Sequence, residues 1–66
     1  MDTIYYNGYE YCEIYDHEAG GTYFESDTAD VVTSCIDVYP NGVVKCVWNG
    51  RTFYLGKLVG NQVIKG

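Results

Sequence analysis

The sequence predicts an all-β, or β-rich α+β, domain: a small antiparallel meander or barrel of about five to six short strands with at most one short helical turn. Three observations carry this reading. Asn-Gly dipeptides stand at Asn7-Gly8, Asn41-Gly42 and Asn49-Gly50, with a Gly-Asn at Gly60-Asn61, each flanked by β-branched or aromatic residues. That combination is the strongest short-range hairpin signal. Between the later turns the apolar residues alternate with period two, as half-buried strands require. Finally, 66 residues with 47% apolar content make one small globular domain, 1–66, without linker, repeat or low-complexity tract.

Taken in order, Asn7-Gly8 joins a strand at 3–6 to a longer one at 9–17. Gly20-Gly21 then turns the chain into a strand at 22–25. Along the long strand Tyr9, Tyr11, Glu13 and Tyr15 share one side, and Glu10, Cys12, Ile14 and Asp16 the other. Neither side is purely apolar, so partial exposure is expected. Residues 26–32 suit either a single helical turn, with Ser or Asp as its cap, or a loop into the next strand.

The second half can be read to residue register. Pro40-Asn41-Gly42 favours a three-residue loop with a bulge, pairing Tyr39 with Val43, Val38 with Val44, Asp37 with Lys45 and Ile36 with Cys46. A two-residue turn at Asn49-Gly50 then pairs Trp48 with Arg51, Val47 with Thr52, Cys46 with Phe53 and Val44 with Leu55. The predicted core face is Ile36, Val38, Val44, Cys46, Trp48, Phe53 and Leu55. A chain of this size buries only roughly 60% of its unfolded surface, so a homodimer sharing a sheet edge or an aromatic face is compatible with it.

Composition excludes several functions. The longest apolar runs are two or three residues, which gives no membrane span, and no secretory leader is recognisable at Met1. The three cysteines, an odd number, favour free thiols in the cytoplasm over a disulfide framework. Cys12, His17, Cys35 and Cys46 lack any close ligand pair, and Cys35 and Cys46 are predicted on opposite faces, so neither a metal nor a cofactor is expected. His17 lies an odd number of residues from Cys12 and no Gly elbow flanks Ser26 or Ser34, so no nucleophile has its base and the chain does not read as an enzyme. Trp48 and Arg51 are expected to form a cation–π pair across their turn.

Charge is the most informative feature. Residues 1–37 hold all nine acids and no Lys or Arg; residues 38–66 hold all four bases and no acid. The first 25 residues combine six tyrosines with six acids. Such a field repels a phosphate backbone, which argues against direct nucleic-acid binding. It suits a protein partner with a basic surface, since acids two apart on a strand repeat at roughly 6.6 Å, near two nucleic-acid steps of roughly 3.4 Å. Tyrosines would add rigid amphipathic anchors. The expected contacts are Glu10, Glu13, Asp16, Glu18, Glu25 and Asp27, with Tyr5, Tyr6, Tyr9, Tyr11 and Tyr15 as anchors.

In size, in its acidic first half, in the Tyr5-Tyr6-Asn7-Gly8-Tyr9-Glu10-Tyr11 hairpin and in its lack of catalytic residues, the chain resembles small acidic bacteriophage-encoded inhibitors, the nucleic-acid mimics and anti-CRISPR proteins. The resemblance is one of profile and transfers no individual residue. It implies a non-catalytic inhibitor that blocks a basic nucleic-acid-binding site of a host protein, such as a CRISPR effector, in the host cytoplasm. The basic second half departs from uniformly acidic mimics. It supports a different alternative, a small structural or oligomerising β module whose acidic and basic halves pair between protomers.

Overall fold

In a computed structural model, which describes residues 3–16 and 21–66, the chain folds as an all-β barrel. Seven strands follow one another around it in sequence order: β1 Thr3–Tyr6, β2 Tyr9–Asp16, β3 Thr22–Glu25, β4 Cys35–Val38, β5 Val43–Trp48, β6 Arg51–Val59 and β7 Gln62–Ile64. This exceeds the expected five to six, because Gly60-Asn61 reverses the chain into a further three-residue strand. Each sequential pair is antiparallel. With an odd number of strands, the first and last must then run parallel where the barrel closes. Tyr5 pairs in parallel with Gln62, and the Tyr5 N–H donates to the Asn61 carbonyl at 2.8 Å.

The turns take the conformations that their residues favour. Asn7 and Gly8 (φ 55° and 86°) and Asn49 and Gly50 (φ 53° and 75°) are left-handed at both central positions, as type I′ hairpins require. At Pro40-Asn41-Gly42 the Tyr39 N–H donates to Val43 and the Gly42 N–H returns to Tyr39, closing the expected three-residue loop. Of the turn predicted at Gly20-Gly21, residue 20 lies outside the described residues. The helical turn is present as a single 3₁₀ turn, Val31–Thr33, following Asp30 without a side-chain cap.

The predicted registers hold for Asp37 with Lys45, Val38 with Val44, Trp48 with Arg51, Val47 with Thr52 and Cys46 with Phe53. One fails. Lys45 pairs with Tyr54 but Val44 with Gly56, so Leu55 is the extra residue of a β-bulge instead of the partner of Val44. The bulge bends β6 and brings β7 onto Gly56, whose φ of +144° and missing side chain admit the Ile64 carbonyl.

The core consists of Ile4, Tyr11, Phe24, Ile36, Val38, Val44, Cys46 and Val63, with Tyr6, Tyr9, Ala29, Leu55 and Leu58 packed against it. Trp48 and Phe53, predicted on this face, lie on it but remain 39% and 40% exposed. Their hairpin extends past the end of β4, so no facing wall covers them. Tyr11 is fully buried and donates its hydroxyl to the Thr33 carbonyl at 2.8 Å. This bond ties the 3₁₀ turn to β2, and the turn also packs against β4 and β5. The neck of the same connection is closed by Ser26 N–H donating to Ser34 at 2.8 Å, and buried Ser26 Oγ accepts from the amides of Thr28 and Ala29.

Gly56→Ala forces a Cβ into the Ile64 carbonyl at a positive φ, and should lower stability by about 2–4 kcal/mol. Urea denaturation of the variant beside the parent measures this; a loss below about 0.5 kcal/mol would show that β7 does not close on Gly56.

Candidate functional site

Because the meander keeps sequence order, the outward-facing residues of β1 to β4 form one continuous wall. Tyr5 pairs with Glu10, Thr3 with Cys12, Cys12 with Glu25, Glu25 with Cys35, and Tyr23 with Asp37. Within this wall a shallow groove of about 350 Å³ is lined by Glu10, Cys12, Ile14, Glu25, Asp27 and Thr28. Alternation along β2 places Glu10, Cys12 and Ile14 on the outer face. Glu25 enters from β3 and Asp27 and Thr28 from the connection that follows. Three carboxylates thus converge on one depression, and no Lys or Arg occurs in the chain before Lys45.

Of the predicted contacts, Glu10, Glu25 and Asp27 are brought together. Glu13 is exposed but follows Tyr9 and Tyr11 on the opposite side of β2, pairing with Phe24, and does not line the groove. Glu18 and the side chains of Asp16 and Tyr15 lie outside the described residues. Tyr11 is withdrawn as an anchor, since its ring is sealed in the core. Tyr6 and Tyr9 are half-buried and serve mainly as packing against the core, with the Tyr6 ring tilted against Tyr11 at 6.4 Å. Tyr5, beside Glu10, is the predicted tyrosine best placed on the wall.

Sequence reasoning missed Cys12, Ile14 and Thr28 as groove residues. The first two share a strand face with Glu10 and were legible by alternation. Thr28 was not, because its position depends on how residues 26–34 fold back.

The thiols divide as predicted between the two faces: Cys46 is buried, Cys35 half-buried and Cys12 exposed. Burial, then the Asp37 charge, pushes the Cys46 thiol above its ordinary value. Cys35 Sγ lies 3.7 Å from a Glu25 carboxylate oxygen. Among the described residues no group of three or more His, Cys, Asp or Glu side chains is placed to hold a metal ion. Among the described residues the cation–π contact is not the one expected across the Asn49-Gly50 turn; Lys45 Nζ stands over the Tyr39 ring, 4.7 Å from its centroid.

No family model matches the chain, and no curated protein or solved structure does. Its properties have to be read from its own geometry. Among the described residues no helix is long and apolar enough to cross a membrane.

Tyr23 gives the wall a titration signature. Its hydrogen bond with Cys35, then burial, then the charges of Cys35, Asp37 and Glu25 push its phenol up to about 12. A folded value above the ordinary 10.0 means that the fold favours the protonated phenol. That contribution is therefore complete below pH 10 and is lost as pH rises through about 12. Following the Tyr23 ring carbons by NMR should give a midpoint near 12, moving toward 10 in Cys35→Ala; a midpoint near 10 in the parent would contradict this wall geometry.

Proposed function

We propose that the protein is a non-catalytic binding module whose acidic wall, β1 to β4, occupies a basic nucleic-acid-binding site of a partner protein. The observation that carries this reading is the convergence of Glu10, Glu25 and Asp27 on one open groove in a wall without a base. Two carboxylates carried on neighbouring strands, Glu10 and Glu25, and a third, Asp27, on the connection that follows gather negative charge at one place, and charge positioned beforehand competes with phosphates at a lower ordering cost. Tyr5 adds a flanking contact. Inhibition would be steric and electrostatic, without turnover, and would weaken with salt. The profile shared with small acidic phage inhibitors makes a host nucleic-acid-handling protein in the cytoplasm, such as a CRISPR effector, the proposed partner class.

The second reading is self-assembly through opposite walls. It is favoured by the segregation of Lys45, Arg51, Lys57 and Lys65 to β5, β6 and the residue after β7. Purification of the tagged protein from a bacterial lysate at low and at moderate salt separates the two. Capture of a stoichiometric partner that DNA or RNA displaces supports the first. A partner-free, salt-sensitive oligomer supports the second. The triple variant Glu10→Lys, Glu25→Lys, Asp27→Lys should lose the partner by at least about a hundredfold in affinity while its circular dichroism stays that of the parent. Retained binding in a folded variant would remove this groove as the site.

A further inference from the structure

The barrel wall is complete at one end only. β7 pairs with β6 at Lys57, Leu58 and Val59, and among the described residues no strand continues this ladder toward Arg51. The first half of β6 is therefore bonded to β5 on one side and open on the other. The hairpin register determines which of its groups face the opening. Trp48 and Arg51 flank a two-residue type I′ turn and form a hydrogen-bonded pair; Thr52 opposite Val47 is then a non-bonded pair, Phe53 opposite Cys46 bonded, and Tyr54 opposite Lys45 non-bonded. At non-bonded positions the N–H and C=O point away from the partner strand. Thr52 and Tyr54 thus direct two donors and two acceptors into the opening, the pattern of an edge ready to receive another strand.

Side chains and charge define what fits there. Phe53 is 40% and Tyr54 75% exposed. Arg51 shares the Phe53 face two residues away at one end of the edge, and Lys57 and Lys65 lie at the other. All three cations are exposed, and among the described residues no ion pair engages them. No acid occurs from residue 38 to the end of the sequence. A second copy would bring the same basic edge against this one, setting like charges along the seam. An acidic strand meets the opposite condition.

We propose that the β6 edge at residues 52–54 is a strand-acceptor site for an extended acidic segment of another protein. The segment adds antiparallel to β6 by main-chain bonds to Thr52 and Tyr54. It sets an apolar side chain against Phe53 and a carboxylate, two residues along the same face, against Arg51. The site lies on the opposite side of the barrel from the acidic groove and stands independently of the function assigned to it.

The probe is the blocked peptide Thr-Glu-Thr-Val-Thr-Glu-Thr, compared with the same peptide carrying Lys for Glu, titrated into the ¹⁵N-labelled protein. Saturable shifts of the Thr52 and Tyr54 amides are expected, with hydrogen exchange at both slowed at least about tenfold at saturation. The Lys peptide should have no such effect. Thr52→Pro removes an N–H that the barrel does not use, so it should fold and fail to bind. Arg51→Glu, at an exposed position, should reverse the preference between the two peptides. Unshifted Thr52 and Tyr54 amides overturn the proposal, as does an equal response to the Lys peptide. So does protection of the same amides that grows with protein concentration alone, which would make a second copy the occupant.

Discussion

Everything in this molecule depends on one short contact, the parallel bridge between β1 and β7. The 66-residue chain has, among its described residues, no helix beyond one 3₁₀ turn to cover a sheet, so an open sheet would leave one apolar face in water. Curling the sheet until its ends meet gives the apolar faces of all strands a common interior. Seven sequential strands make that meeting parallel, and the short β7 limits it to the neighbourhood of Tyr5 and Gln62. The bulge at Leu55 and the bare backbone of Gly56 serve the same closure by bending β6 under β7. Above this seam the wall stays open, and the unpaired edge of β6 is the consequence.

Closure in sequence order also explains how a linear asymmetry becomes a spatial one. In a fold with crossovers the acidic first half would be interleaved with the basic second half and the two would neutralise each other. In a meander, neighbours along the chain are neighbours around the barrel. Glu10 of β2, Glu25 of β3 and Asp27 of the connection from β3 to β4 therefore stay together on one wall, and the bases follow from β5 onward. Side chains at that border show the transition: Asp37 stands opposite Lys45, whose ammonium turns over the Tyr39 ring.

Much of the fold was legible because its turns are chemically specific. Two Asn-Gly pairs in type I′ geometry and one Pro-Asn-Gly loop set the register of β1 with β2 and of β4 with β5 and β6. Two features escaped sequence reasoning for definite reasons. A bulge adds one residue without a turn signal, so the pairing of Val44 moved from Leu55 to Gly56. Tyrosine is at home on both faces of a strand, so alternation along β2 could not say that Tyr11 enters the core while Tyr5, on β1, stays on the wall. The acidic groove was half legible: strand alternation groups Glu10 with Cys12 and Ile14, but the approach of Asp27 and Thr28 depends on the fold of the connection tied down by Ser26 and Tyr11.

The central claim is closure of the meander between its first and last strands, and it is tested most directly by NMR on the labelled protein. The account predicts a nuclear Overhauser contact between Tyr5 and Gln62, together with a Tyr5 amide that exchanges slowly because it donates to Asn61. A Tyr5 amide that exchanges as fast as a free amide, with no contact to Gln62, would contradict it and leave an open, curved sheet in place of the barrel.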